Sequence, residues 1–159
     1  MIGSPGPDDL PGDIHTPVVN FMAPTATLRF EHASNDYAFD ARLAGAGLVD
    51  VIGGFTRLTA DSHAFSGATH IGDTATLSVD GSLGGTITVD ENGRLQGTGT
   101  IGSADVSGTL APGNSPGTLH LTGDLVMRST SVYEAQIDTA SGVSDNVVVA
   151  GNVTIQPGS

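Results

Sequence analysis

The sequence predicts an all-β fold whose short strands stack as a solenoid, and three observations carry that expectation. Apolar and polar residues alternate with period two in one short stretch after another. Gly, Asn, Asp or Ser breaks each stretch from the next. No segment of about 10 residues carries a helical period, so nothing in the chain could serve as a βαβ crossover.

Residues 1–20, rich in Pro, Gly and Asp and without periodicity, read as a disordered or loosely held lead-in, compatible with vector-derived residues at its start. The fold is expected over 21–159. Alternation begins with Ala26–Phe30, continues through Tyr37–Leu43, and returns at Phe55–Thr59. It places Phe30, Phe39, Phe55 and Phe65 on the inward face. From Ala75 the unit recurs closely enough to count as an internal repeat, in TLSVDGSLGG, TITVDENGRLQGTG, GTLHLTGDLVM, NVVVAG and NVTIQPG. Its paired inward anchors are Leu77 and Val79, Ile87 and Val89, Leu119 and Leu121, Val147 and Val149, and Val153 and Ile155.

Two architectures fit this pattern: an antiparallel sandwich of hairpins, or a solenoid of coils of roughly 20 to 25 residues with strands stacked in parallel. Two features favour the solenoid. Gly-Thr recurs at 85–86, 97–98, 99–100, 108–109 and 117–118, which suggests corners whose dihedral angles only Gly tolerates. Aromatic residues are 4% of the chain, too few for the thick interior of a sandwich. A narrow prism filled by Leu, Val, Ile and Thr needs fewer, and the length then gives about five or six coils. Each buried Leu, Val or Ile contributes roughly 1.5–3 kcal/mol, and none of the inward positions carries a charge.

Charge and cysteine content narrow the partners. The chain has 17 acids, five Arg and no Lys, a net charge of −12 that repels nucleic acid and anionic lipid alike. No apolar run approaches the roughly 20 residues that cross a bilayer, so no membrane insertion is expected. Without Cys there is neither a disulfide framework nor a thiolate metal site.

Candidate chemistry was weighed against structural roles. His15, His32, His63, His70 and His120 with many Ser and Asp supply the residue types of a hydrolase, but there is no G-x-S-x-G elbow, and Pro116 follows Ser115 where that turn needs an N–H. Asn114 and Ser115 are read as turn formers. His63 with His70, or Asp80, Asp90 and Glu91, could suggest a metal, yet they lack convergent-ligand spacing and read as solvated turn residues. His120, between Leu119 and Leu121, is expected to point outward. Glycan binding usually rests on exposed aromatic rings, for which Tyr37 is the one candidate. No catalytic, cofactor-binding or metal residue is assigned.

Gly97-Thr98-Gly99-Thr100-Ile101-Gly102, followed by Val106-Ser107-Gly108-Thr109-Leu110-Ala111-Pro112-Gly113-Asn114-Ser115-Pro116-Gly117-Thr118-Leu119, resembles the passenger-associated repeat of bacterial autotransporters of the type V secretion class. Phe55–Thr59, Phe65–Thr69 and Leu77–Gly85 upstream, and Tyr133–Asp138 and Ser144–Gly151 downstream, are similar to that family's flanking runs, so the likeness covers about residues 24–158. The resemblance implies a right-handed parallel β-helix. It further implies export through the outer membrane by the chain's own C-terminal β-barrel translocator, and a place on the bacterial cell surface. On this reading the chain is an excised C-terminal portion of a passenger stalk that is non-catalytic and promotes folding and secretion. The alternative is an adhesin segment that contacts a host matrix protein or glycan through an outward strip or the loop 31–37. Exposed sheet edges at the two ends would favour end-to-end self-association.

Overall fold

The computed structural model describes residues 14–113, 116–140 and 142–158. These residues form strands, turns and bends and no helix. The chain opens with β1 (Val18–Phe21), β2 (Thr27–Phe30), β3 (Tyr37–Phe39), β4 (Arg42–Gly45), β5 (Leu48–Val51), β6 (Gly54–Leu58) and β7 (Asp61–Ser62). It continues through β8 (Ala68–Ile71), β9 (Ala75–Val79), β10 (Ser82–Val89), β11 (Arg94–Gly97), β12 (Thr100–Val106) and β13 (Thr109–Pro112). The last segment adds β14 (Thr118–Leu121), β15 (Leu125–Met127), β16 (Val132–Tyr133), β17 (Ile137–Asp138), β18 (Val143–Ser144), β19 (Asn146–Val149) and β20 (Val153–Ile155).

The strands stack in parallel as a solenoid of about five turns. One face runs β2, β5, β8, the second half of β10, the second half of β12, β15 and β20. A second runs β3, β6, β9, β11, β13 and β16. On the third, β7, the first half of β10, the first half of β12, β14 and β19 follow one another, while β1 pairs with β4 at its start. Strands β10 and β12 are long because each runs through the corner between two faces, and a bulge between Leu83 and Thr86 makes that bend. The one antiparallel strand pair among the described residues is β17 with β18, a hairpin inserted between β16 and β19.

Alternation dictates this arrangement. Alternate side chains point into the prism and stack on their equivalents one coil away, giving the column Tyr37, Thr56, Leu77, Leu95, Leu110, Tyr133. Leu77, Leu95 and Leu110 are fully buried in it, each adding roughly 1.5–3 kcal/mol. At the first coils aromatic rings close the prism. Phe30 packs edge-on to Phe39 at 5.2 Å and lies 6.2 Å from Tyr37, while Phe21 meets Phe65 at 5.4 Å.

Several sequence expectations need correction. Phe55 faces outward under the Arg57 guanidinium, 5.9 Å above its ring, and Thr56 takes the inward position. Phe55 and Leu58 are three residues apart, so a period of two cannot bury both. Tyr37 is buried against Phe30 and His32 rather than offered to a ligand, and His32 is buried with it. Strand β1 draws residues 18–20 into the fold, whereas residues 1–13 of the expected lead-in lie outside the described residues. The anchors Val153 and Ile155 are exposed, because no described coil covers them.

Candidate functional site

The glycine-rich junction singled out by sequence occupies the corners around β11 to β14. Gly97 ends β11 opposite Pro112 and has φ +124°; Gly113 has φ +92°, and its N–H donates to the Gly97 carbonyl at 2.8 Å. Both conformations are ones that L side chains rarely adopt. At Gly99, Gly102 and Gly108 the requirement is different from the one the sequence suggested. Space excludes a side chain there, since a Cβ would sit 2.1, 1.9 and 2.3 Å from backbone carbonyl oxygens of the preceding coil. Leu110 and Leu119 are fully buried beside them and Pro112 is buried at the end of β13. Asn114 and Ser115 lie outside the described residues.

One spine of these contacts runs along a single corner. A Cβ on Gly67 would meet the Gly47 oxygen at 2.0 Å, one on Gly85 the Gly67 oxygen at 2.1 Å, and one on Gly102 the Gly85 oxygen at 1.9 Å. Four coils therefore touch there by bare backbone. At this corner packing requires glycine, although only Gly85 of the four belongs to a Gly-Thr pair.

The junction is tied to the hairpin by a residue that sequence reasoning passed over. Asp145 is buried, and its Oδ1 accepts from the Gly117 N–H at 2.7 Å while its Oδ2 accepts from the Gln136 N–H at 2.9 Å. These charge-assisted bonds hold the chain as it leaves and re-enters the solenoid. Arg94 reaches Glu134 with two bonds, 2.8 and 3.1 Å, which keeps that carboxyl below its ordinary range. The Tyr133 hydroxyl is pushed up by burial and by the Asp145 charge.

A second group of polar residues lies on the outer side of the first face. Arg29 Nε donates to Asp50 Oδ2 at 2.8 Å, His70 Nδ1 contacts Asp50 Oδ1 at 2.8 Å, and His70 Nε2 contacts Asp90 Oδ2 at 2.9 Å. Farther along, Arg128 Nε donates to Asp105 Oδ1 at 2.7 Å and holds that carboxyl below its usual range. His70 thus stands in a strand and not in the solvated turn the sequence suggested. The signal was present as spacing: the partners are 21, 20, 20 and 23 residues apart, one coil each.

The remaining candidates do not converge. Exposed His63 bonds Asp61 at 2.8 Å, and Ser82 and His63 together hold the Asp61 carboxyl down at about 2. Buried His32 shares a 3.0 Å bond with Thr56 Oγ1, has no partner at Nδ1, and burial lowers its pKa. His120 is exposed, as expected. His15 is exposed at the start of the described chain. Asp80 lies 3.9 Å from the Arg57 guanidinium, and Glu91 is exposed in the turn after β10. Among the described residues no group of three or more His, Asp or Glu could hold a metal ion; Asp50 and Asp90 occupy opposite nitrogens of His70 and so cannot share an ion with it.

A cavity opens at the last described coil. Leu110, Leu125, Met127, Val147, Val149, Val153 and Ile155, with Ser131 and Tyr133, line about 410 Å³ beyond the last coil. Of these, Tyr133, Val153 and Ile155 are exposed.

No family model matches the chain. It is similar to an uncharacterized protein, YuaQ, of Escherichia coli strain K12, with 35% identity over 75 residues. That stretch is 45% of this chain and 6% of the relative's length, so the chain spans a small part of the curated protein it matches.

Proposed function

We propose that the chain is a non-catalytic structural stalk, a folding- and secretion-promoting segment of an autotransporter passenger on the bacterial outer surface, working with its own C-terminal β-barrel translocator. The observation that carries this reading is the coil-on-coil register of the solenoid. Strands of each coil pair with those of the coils on either side, and at the bare-backbone corners Gly47, Gly67, Gly85 and Gly102 one coil fits closely against the next. A chain emerging through a pore can fold progressively by such steps, and each completed coil opposes its return. Likeness to an uncharacterized protein adds no activity to this argument. The adhesin alternative cannot use Tyr37, which is packed inside.

The test is surface display. The chain is placed ahead of a β-barrel translocator in a Gram-negative host, and its cleavage by external protease is compared with that of a Leu110→Asp variant. A charge inside the prism is expected to lower display several-fold while the barrel still inserts. Display unchanged in that variant overturns the stalk reading.

A further inference from the structure

We propose that His70 is a protonation-dependent clamp that joins three consecutive coils on the outer side of the β2–β5–β8 face. The clamp is a property of the solenoid and stands apart from the export reading.

The argument begins with hydrogen-bond valence. A neutral imidazole carries one N–H and one acceptor nitrogen, whereas an imidazolium donates from both. His70 places Nδ1 2.8 Å from Asp50 Oδ1 and Nε2 2.9 Å from Asp90 Oδ2. Ionised carboxylates only accept, so both contacts are hydrogen bonds only when the ring carries two protons. Loss of one proton breaks one link and sets a lone pair against a carboxylate oxygen.

Position makes this more than a surface ion pair. Asp50 lies on β5, His70 on β8 and Asp90 just after β10, so one ring spans three levels of the stack. Asp50 is largely buried, with 8% of its side chain exposed, and its other oxygen is held by Arg29 from β2. His70 itself is 37% exposed, so protons reach it freely. The charged groups facing it are Arg29 and Asp50 on the side of the earlier coils and Asp90 on the later side. Beyond Thr88, which is in register with His70, comes Asp105 on β12, already bonded to Arg128. Asp73, in the turn after β8, accepts the Asn92 N–H, and Glu91 lies in the turn after Asp90.

The surroundings agree in sign. The Asp50 bond is the largest influence and raises the His70 pKa; burial opposes it, and the bond to Asp90 with the charges of both carboxylates leaves the net shift upward. A group whose pKa is raised on folding adds stability that is complete below its unfolded value of about 6.5 and is lost as pH rises through the folded value. The middle coils are therefore held more firmly in mildly acidic than in mildly alkaline medium, a dependence opposite to that set by buried, neutral His32.

The experiment follows the His70 ring proton by NMR in the whole chain between about pH 5.5 and 8.5, with His70→Gln identifying the signal. The expected midpoint lies above the ordinary value of about 6.5 and moves down in Asp90→Asn, a change at a partly exposed side chain that leaves the core untouched. Urea unfolding is then compared between the parent and His70→Gln across the same range, so that the other histidines cancel. The parent's advantage in midpoint is expected to shrink as pH rises. A His70 midpoint at or below the ordinary value, or one unmoved by Asp90→Asn, overturns the clamp, as does a parent advantage independent of pH. Should His70→Gln fail to fold, the ring titration in the parent and in Asp90→Asn decides the matter.

Discussion

Along the inward column Phe30, Val51, Ile71, Val89, Val106, Met127 and Ile155, the first five side chains are fully buried, Met127 is 5% exposed and Ile155 is 67% exposed. The two ends of the same stack are thus finished differently. At the first described coils Phe30, Tyr37 and Phe39 pack ring against ring within the prism. At the last coil small aliphatics present an unfilled surface of the kind an interior coil would cover. All five Phe lie before residue 66. A solenoid is periodic in its backbone, yet over its described length this one is filled by aromatic rings in the first coils and by aliphatic side chains in the last.

The contrast can be broken most severely in the middle of the stack. Leu95→Ala, which removes a fully buried side chain with neighbours above and below, is expected to cost about 3–5 kcal/mol in urea unfolding. A loss below about 1 kcal/mol would show that the central columns are no tighter than the open end. Asp145→Ala comes next: it leaves the Gly117 and Gln136 N–H groups without their acceptor and is expected to cost about 2 kcal/mol. Hydrogen exchange should rise over 133–147 while β9 and β11 stay protected; uniform acceleration would mean that the hairpin and the middle coils open together. The smallest effect is expected at Ile155→Ala, within about 0.5 kcal/mol, because little buried contact is removed. A cost near that of Leu95→Ala would mean that the end is covered in solution.

Much of the fold was legible because its cause is local. Leu77 with Val79, or Ile87 with Val89, reveal an inward face to anyone reading in steps of two, and the frequency of Gly marks the corners. Phe55 misled because hydrophobicity alone was allowed to override parity; Thr56, small and β-branched, fits between Tyr37 and Leu77 where Phe55 would be out of phase. Tyr37 misled for a related reason, since a lone aromatic suggests recognition until register sets it in the inward column beside Phe30 and His32. The polar partners were harder. Asp50, His70 and Asp90 are one coil apart, a spacing visible in the sequence but without meaning until register puts them on one side of one face. Asp145 was harder still: the inserted hairpin lengthens its coil to 28 residues from Gly117, which it faces through the β14–β19 register, and only the hairpin brings the Gln136 N–H to it.

The glycine spine has a consequence for errors of assembly. Where Gly47, Gly67, Gly85 and Gly102 nest, a coil laid down one residue out of phase would drive the side chain of Ser66 or Ala68, of Thr86, or of Ile101 or Ser103 into the peptide beneath. Such a slip is stopped by collision at the level where it occurs, so the molecule carries its own ruler: a mistake can neither be buried under later windings nor passed on to them.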